Sequence, residues 1–304
     1  MRQFYLPHEK LNLGSKKMDI LITGLLLSGT YALMAFGLNL QYGVSRIMNL
    51  ANGEMLVLGA LAAFWIFIAE AISPLLTMFV IAPLSFAGNW LIYKFLLIPL
   101  VKRSKNQSHL EVDSILATFG MSFALVGIMV SIYGEYYAYS YLAEPFKIFG
   151  ETFALNRVVA FCFALALGLI LYIWLFQTRL GMAMRALIVS TQTSGLVGIN
   201  VEKMSAIAFA LGGAVTTMGG SLISTFIVLD GSIGVIFTMK ALIIIIMGGV
   251  GDIRGAILAA LILGIVETTV ATLIDPGLTL AAAYAIFVIV LLFRPQGIFG
   301  RVPS

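Results

Sequence analysis

Long apolar runs alternate with short polar stretches along the whole of this 304-residue chain. The runs do not alternate between apolar and polar positions, and each approaches the roughly 20 residues that a helix needs to cross a bilayer core. They predict membrane helices over residues 19–40, 55–69, 75–100, 115–133, 158–176, 204–229, 233–250, 255–274 and 278–293. We therefore expect an all-α, polytopic membrane protein with about eight to nine membrane segments.

Residues 37–60 interrupt this pattern with polar side chains and glycines between two apolar runs. The polar residues are Asn39, Gln41, Arg46, Asn49, Asn52 and Glu54. At membrane depth, polar backbone and side chains are tolerated only where protein or a water-lined cavity satisfies them. The cluster therefore predicts a discontinuous helix beside a permeation pathway. A polar loop at the membrane interface is the alternative.

The charges of the connecting segments predict their sides of the membrane. Lys102, Arg103 and Lys105 lie within four residues, and Lys and Arg gather on the cytoplasmic side of membrane proteins. Residues 134–156 carry three glutamates against one lysine and belong outside, whereas the basic stretch 177–203 belongs inside. The crossings between these three segments agree with that assignment.

The N-terminal part of the chain does not fit the sides of the membrane that the charges predict for the other segments. Residues 1–18 form a basic tail or a short interfacial helix ahead of one membrane domain, residues 19–304. Counting crossings back from Lys102 puts this basic segment outside. An extra partial crossing by residues 43–52 would place it inside with its lysines, and we expect a broken segment there.

Composition excludes several classes of protein. The chain is 61% hydrophobic and 11% charged, with a mean hydropathy of +1.04, which leaves too little polar surface for a soluble protein of this size. The net charge of +4 is small and confined to short loops, so nucleic-acid binding has no support. Cys162 is the one cysteine, which excludes an intrachain disulfide. No metal- or cofactor-binding signature and no paired nucleophile and base are present, so an enzyme is not expected.

Acidic residues within the apolar runs are candidates for function. Glu54 and Glu267 fall at or near membrane depth, and Asp252 lies nearer a surface, two residues from Arg254. An ionisable group within a membrane is a functional candidate by default, so a proton-coupled carrier or channel is one hypothesis. Against it, no regular relay of acids or histidines follows. A structural role for Glu267 inside the bundle is an equal alternative. Asp252 and Arg254 are grouped with it as structural polar residues of the membrane domain, and these two can be satisfied locally at a helix break near the cytoplasmic interface.

The cytoplasmic stretch 177–203 is too long for an ordinary helix connection. It predicts a short amphipathic helix with Met182, Met184, Leu187 and Ile188 near Arg185. Gly195 and Gly198 follow before the chain turns polar again. An amphipathic helix between two membrane segments suits a groove on a partner protein, so we expect a docking element.

Several stretches resemble one known family, in the same order along the chain. They are NLANGEMLVLGA (49–60), ILATFGMS (115–122), LGMAMRAL (180–187), GLVGIN (195–200), MGGVGDIRGAILAALILGIVE (247–267) and LLFRPQGIFG (291–300). Together they are similar to the permease subunits of branched-chain amino-acid ABC transporters. The first stretch matches the members whose motif reads Asn-x-Ala-x-Gly-Glu, although Asn52 stands where many of them have His.

This resemblance implies a membrane-spanning permease of an ATP-driven importer for branched-chain or other neutral amino acids. It implies four partners: a second homologous permease, two cytoplasmic ATP-binding subunits and an external solute-binding protein. The setting it implies is the bilayer of a bacterial inner membrane. A urea or short-amide permease of the same fold is the alternative cargo. No ATP-binding signature occurs in this chain, since Met247–Gly255 lacks the Lys-Ser/Thr of a phosphate loop.

The resemblance also implies roles for particular residues. The residues expected beside the translocation pathway are Asn49, Asn52, Gly53, Glu54, Thr118, Gly120 and Ser122. The residues expected in the loop that an ATPase engages are Arg185, Gly195, Gly198 and Asn200. On this interpretation Glu54 holds a broken helix in shape, and the driving force for transport comes from the partners.

Overall fold

A computed structural model describes residues 13–104, 106–133, 136–137, 139–148 and 151–300 of the chain. Its α-helices are α1 (Leu13–Ser45), α2 (Asn52–Glu70), α3 (Pro74–Ile92), α4 (Ile98–Arg103), α5 (Gln107–Tyr133), α6 (Leu155–Gln177), α7 (Arg179–Val189), α8 (Thr191–Leu196), α9 (Val201–Ile223), α10 (Gly234–Gly248), α11 (Ile253–Leu273) and α12 (Thr279–Phe293). A π-helical turn, Tyr93–Leu97, joins α3 to α4, and a 3₁₀ turn, Pro276–Leu278, precedes α12.

Eight helical segments of this described part are long and apolar enough to cross a membrane. They are Lys16–Ser45, Asn52–Glu70, Pro74–Arg103, His109–Ile132, Leu155–Gln177, Val201–Ile223, Ile253–Leu273 and Pro276–Phe293. A ninth apolar helix, Gly234–Gly248, has only 15 residues and is too short for a full crossing. The predicted all-α, polytopic fold with eight to nine segments is confirmed.

The centre of the bundle is the pair α1 and α9, which is also the most enclosed part of the molecule. Most residues of these two spans are buried, whereas α5 and α12 expose most of theirs. Glycines allow the close approach: a Cβ on Gly37 of α1 would overlap Thr216 and the Gly212 carbonyl of α9. On the same helix, Gly220 lies against the Leu56 carbonyl of α2. Small residues serve this purpose in membranes because backbones gain contact where side chains are absent.

The two ends of the bundle differ in charge. One end, here called the basic face, carries Lys102, Arg103, Arg179, Lys203 and Arg294. The opposite end, called the acidic face, carries Asp19, Glu70, Glu144, Asp230 and Asp275. From the positive-inside rule we expect the basic face to lie toward the cytoplasm.

Helices α1 and α2 form a hairpin rather than a segment with an extra crossing. The start of α1 lies at the acidic face, where Asp19 lines a cavity together with Tyr139 and Asn156. The end of α2 lies at the same face, since the hydroxyl of Tyr141 donates to that of Ser73 at 2.9 Å. The predicted partial crossing by residues 43–52 is therefore wrong.

The physical reason is that the link between the two helices, residues 46–51, is held inside the protein by hydrogen bonds and reverses the chain there. A consequence is that Lys16 and Lys17 begin α1 at the acidic face. Helix α1 starts at Leu13, within the predicted 1–18 tail, and residues 1–12 of that tail lie outside the described residues.

A second link, residues 224–233, reverses the chain at the acidic face. Helix α9 ends at Ile223, six residues before the predicted end of that segment, and Leu229–Asp230 (β4) pairs antiparallel with Tyr136–Tyr137 (β1). Helix α10 then starts inside the bundle and runs to the basic face. Near the link, Pro145–Ile148 (β2) and Glu151–Ala154 (β3) form a hairpin, so the outer segment contains short strands that were not predicted.

Candidate functional site

The link between α1 and α2 begins with a strained residue. Arg46 has a φ of +56°, a left-handed conformation that residues other than glycine rarely adopt. Its guanidinium donates to the Ile188 carbonyl of α7 at 2.8 Å, which ties the link to this helix at the basic face. Such strain persists where surrounding contacts over-determine it, and it is enriched at functional sites.

Asn49 is fully buried and satisfies the polar groups of the link from within the protein. Its Oδ1 accepts from the Ala51 N–H at 3.0 Å, and its Nδ2 donates to Gln41 Oε1 at 2.9 Å. Gln41 in turn donates to the Phe209 carbonyl of α9 at 3.1 Å. A buried amide without these partners would destabilise the fold, so this network shapes the link.

Two threonines from other helices hold the next turn of backbone. The hydroxyl of Thr118, in α5, accepts from the Leu50 N–H at 3.1 Å and lies 3.0 Å from the Met48 carbonyl oxygen. The hydroxyl of Thr238, in α10, accepts from the Gly53 N–H at 2.8 Å and donates to the Leu50 carbonyl at 3.2 Å. Threonine hydroxyls of α5 and α10 thus hold the start of α2 by hydrogen bonds to its backbone and to the end of the link.

The first residues of α2 are packed tightly against α9 and α10. Asn52 accepts from the Thr216 hydroxyl at 2.9 Å and is almost completely buried. Gly53 packs on the Gly234 carbonyl so closely that an added Cβ would overlap it. The beginnings of α2 and α10 are therefore in direct backbone contact.

Glu54 lies at this contact and is fully buried. Its Oε1 accepts from the Ser122 hydroxyl of α5 at 2.8 Å, whereas its Oε2 has no hydrogen-bond partner among the described residues. A Cβ on Gly234 would lie 3.1 Å from the carboxyl carbon, so the carboxylate also touches the start of α10. Helix N-termini carry a partial positive charge, and two of them meet at this one carboxylate.

Ser122 and Thr118 are near the middle of α5, which places this contact near the middle of the membrane. We call it the junction: residues 52–54 of α2, Thr118 and Ser122 of α5, and Gly234 and Thr238 of α10. Gly120 was predicted with these residues, but it faces away: it is exposed, and nothing in the described structure lies within 4 Å of an added Cβ. Residues two positions apart on a helix point in different directions, whereas 118 and 122 share a face.

A second buried polar cluster joins α1, α10 and α11. Lys240 Nζ lies 2.8 Å from Glu267 Oε2 and 2.7 Å from the Tyr31 hydroxyl, which itself donates to the same carboxylate oxygen. Glu267 Oε1 has no partner within the described part of the chain. Sequence reasoning singled out Glu267 but missed Lys240 and Tyr31. The available signal was a lone lysine inside the apolar run 233–250.

Asp252 and Arg254 have separate roles rather than forming a pair. Asp252 caps α11, accepting from the Arg254 N–H at 2.9 Å. The Arg254 guanidinium instead donates to the Tyr172 hydroxyl and lies 5.7 Å from the centre of the Phe176 ring. Arg254 is exposed, so it does not belong to the enclosed polar residues with which it was grouped.

At the basic face, α7 and α8 form the predicted cytoplasmic element. Met184 and Leu187 of α7 are fully buried in a cluster with Val44 and Met204. Arg185 donates to the Leu175 carbonyl at 3.0 Å, and its guanidinium lies 4.1 Å from the centre of the Phe176 ring. The apolar side of α7 and Arg185 therefore attach this element to the membrane bundle.

The tip beyond α8 has a different character. Gly195 is exposed, Gly198 has a φ of +83°, and Asn200 caps α9 by accepting from the Lys203 N–H at 2.9 Å. Between them, Leu196 and Val197 are 87% and 73% exposed. These two apolar side chains were overlooked because hydropathy alone does not separate a buried leucine from an exposed one.

The fold and the junction define a polytopic helical membrane protein in which two helices begin at the same buried carboxylate. A family model described as branched-chain amino acid transport system / permease component matches residues 20–293. The chain belongs to this family. It is therefore a membrane transport component of an ABC transporter complex with partner subunits and not an enzyme, and the expected family is confirmed.

Individual relatives span nearly the whole chain. It is 27% identical to the high-affinity branched-chain amino acid transport system permease protein LivH of Salmonella typhimurium, over 92% of this chain and 94% of that protein. It is 28% identical to the permease protein BraD of Pseudomonas aeruginosa, over 92% and 95%. It is 27% identical to a probable LivH of Methanocaldococcus jannaschii, over 95% and 94%.

Among solved structures, the chain is similar to PsaBC from Streptococcus pneumoniae in complex with Fab. The TM-score is 0.50 at 11% sequence identity, and the match covers 94% of this chain and 96% of that one. At this identity the likeness shows a shared fold.

Proposed function

We propose that this chain is the membrane-spanning permease subunit of an ATP-driven importer for branched-chain or other neutral amino acids. The observation that carries the proposal is the family match over residues 20–293, together with relatives of nearly equal length named for that transport. The chain would act with a second homologous permease, two cytoplasmic ATP-binding subunits and an external solute-binding protein. Its proposed setting is the inner membrane of a bacterial cell.

The junction is the proposed shaping element of the translocation pathway. Asn49, Asn52, Gly53 and Glu54 lie at the reversal, and Thr118 and Ser122 hold it from α5. Because α2 runs from the junction to the acidic face and α10 to the basic face, movement of one helix start displaces both halves. Alternating access needs such a shared pivot, since the solute must meet one opening at a time.

Helix α5 is the element expected to meet the second permease. Few contacts attach it to the rest of the chain, and its exposed side carries Gly120, Leu116 and Phe123, the latter two 72% and 63% exposed. A second helix packing there would lie directly behind Thr118 and Ser122. Gly120 would then contribute to the pathway through the interface between permeases, rather than through this chain's own interior.

The cytoplasmic element α7–α8 is the proposed site of coupling to the ATP-binding subunits. Leu196 and Val197 offer an apolar contact, and Gly195 and Gly198 shape the turn that presents it. Asn200 holds the turn to α9, while Arg185 holds α7 to α6. A push on the tip would therefore reach the membrane helices through rigid, capped elements.

Uptake by the reconstituted complex tests the proposal. The permease would be purified with its partner subunits and placed in proteoliposomes, and leucine uptake would be measured with the solute-binding protein and ATP. We expect uptake that requires ATP and is lost when the ATP-binding subunits carry an inactivating substitution. Uptake by this chain alone, driven by a proton gradient without ATP, would refute the proposal. If the solute-binding protein retained urea and not leucine, the cargo would be the short-amide alternative.

The observations disfavour a proton-coupled mechanism. Glu267 is neutralised by Lys240 at 2.8 Å, and Glu54 is enclosed by Ser122 and the start of α10. A proton carrier needs a chain of titratable groups to reach both faces. Within the described residues, these two carboxylates belong to separate clusters.

A further inference from the structure

A cavity of about 470 Å³ opens at the acidic face, away from the junction. It lies between the start of α1, the segment that leads into α6, and the link that follows α9. Pockets for small ligands occupy roughly 300–1,000 Å³, so its size suits a metabolite. The charge rule predicts that the acidic face is external, so this cavity lies on the side from which the proposed solute-binding protein delivers a solute.

Two opposite charges line the cavity without pairing with each other. The Asp19 carboxylate accepts a long hydrogen bond, 3.4 Å, from the Thr23 hydroxyl. The Arg157 guanidinium has no hydrogen bond or ion pair with any residue that the structure describes. The ion pairs among the described residues are Lys102–Glu202 and Lys240–Glu267, and neither includes a residue of the cavity. Because Asp19 and Arg157 line the same cavity without an ionic partner in the described part of the chain, both side chains are available to a ligand.

The remaining walls are neutral and fixed in place. The Tyr139 hydroxyl is hydrogen-bonded to Ser224 Oγ at 2.7 Å, and burial raises the pKa of Tyr139, so the phenol stays uncharged at neutral pH. Asn156 Nδ2 donates to the Thr225 carbonyl at 3.1 Å. Phe226, Ile227 and Val228 supply apolar surface beside these polar groups.

We propose that this cavity binds a zwitterionic amino acid with an apolar side chain. The Arg157 guanidinium takes the α-carboxylate, a geometry for which its planar fork is suited. Asp19 takes the α-ammonium, and the wall formed by residues 226–228 takes the side chain. The inference rests on the proposed function, because it assigns the outer site that the imported solute meets.

Position in the fold connects this cavity to the junction. Residues 225–228 lie in the link that leads from α9 into α10, and the start of α10 touches Glu54. A ligand held by Arg157 and Asp19 therefore contacts the segment that determines where α10 begins. Site occupancy is coupled to the shared pivot through about six residues of backbone.

Direct binding to the complete permease complex in lipid nanodiscs, without the solute-binding protein, tests the proposal. Three probes separate the two charges: L-leucine, 4-methylpentanoate, which lacks the ammonium, and 3-methylbutylamine, which lacks the carboxylate. We expect saturable leucine binding that weakens about tenfold in Arg157→Gln and in Asp19→Asn, the loss typical of one charge-assisted hydrogen bond at a partly exposed site. Arg157→Gln should abolish the residual binding of 4-methylpentanoate, and Asp19→Asn that of the amine.

Matched controls are available on the same outer segment. Lys147 and Glu144 are exposed and lie outside the cavity lining. Lys147→Gln therefore removes one positive charge, and Glu144→Gln one negative charge, without altering the site. Arg157→Lys, which keeps the charge, should retain more binding than Arg157→Gln. Size-exclusion profiles and unfolding curves of each variant exclude misfolding as the cause.

Two binding results would contradict the proposal. Absence of saturable leucine binding to the wild-type complex, or equal binding in the cavity variants and the two controls, would overturn the cavity assignment. Leucine uptake by the full system, measured in parallel, separates this failure from failure of the proposed function. Normal ATP-driven uptake with an inert cavity would reject the site alone.

Discussion

The Lys240–Glu267 pair offers a sharp test of how charge is held inside this bundle. The side chains are 15% and 4% exposed, the atoms Nζ and Oε2 are 2.8 Å apart, and Tyr31 bonds to both partners. Removing one partner of a buried pair leaves an uncompensated charge, which costs about 3–5 kcal/mol. The unfolded state within a membrane also finds polar partners, which reduces the loss. We therefore expect Lys240→Met to lower the free energy of unfolding by about 3 kcal/mol, the lower end of the range.

A double-mutant cycle isolates the pair. Removing both charges, Lys240→Met with Glu267→Leu, should recover most of the loss, because a well-packed apolar pair of similar volume is often as stable as a buried ion pair. The measurement is the free energy of unfolding in a denaturant titration in mixed micelles. The exposed pair Lys102–Glu202, at 3.3 Å with side chains 66% and 53% exposed, is the control and should contribute at most about 1 kcal/mol.

Two results would refute the reasoning. One is a Lys240→Met variant as stable as the wild type, which would mean that water reaches the cluster and screens it. The other is a double variant whose loss equals the sum of the single losses, since additive effects indicate that the two groups are not coupled.

Three further predictions concern the junction and the cytoplasmic tip. Glu54→Gln keeps a hydrogen-bonding group but removes the charge that two helix starts stabilise, so we expect about 1 kcal/mol less stability and reduced ATP-driven uptake at normal assembly; unchanged uptake would contradict this role. Gly53→Ala should destabilise the protein by about 1–3 kcal/mol through overlap with α10, whereas Gly88→Ala, with nothing within 4 Å, should not; equal unfolding curves would contradict the packing. Gly198→Asp should permit assembly but abolish ATP-driven uptake, and normal uptake by this variant would count against docking there.

The α1–α2 break shows how far local pattern reaches. A cluster of polar residues and glycines within an apolar run predicts an interruption there, because unsatisfied polar groups are costly in lipid. The position of that interruption, residues 46–51, lies inside the predicted stretch. Its shape was not predictable from pattern, since a reversal and a partial crossing have the same hydropathy. Bonds from Thr118 and Thr238, 68 and 188 residues away from Leu50, decide between them.

Gly120 illustrates the same limit within a motif. The stretch 115–122 resembles its family as a unit, yet only Thr118 and Ser122 turn toward the junction. The rotation of α5 about its axis determines this, and rotation is set by the neighbouring helices rather than by α5's own sequence. Lys240 was missed for a related reason. Its partner Glu267 is on another helix, and the sequence does not show that the two side chains are in contact.

What the sequence by itself determined is the set of membrane helices, the place of the break, the charge difference between the two faces and the family. These follow from local properties: the length of apolar runs, the positions of polar groups and the order of motifs. Only the tertiary structure decided that α1 starts at the acidic face, that two helices begin at Glu54, and that Asp19 and Arg157 share a cavity. Those features depend on contacts between distant segments, where close backbone packing and hydrogen bonding select one arrangement among many with the same hydropathy.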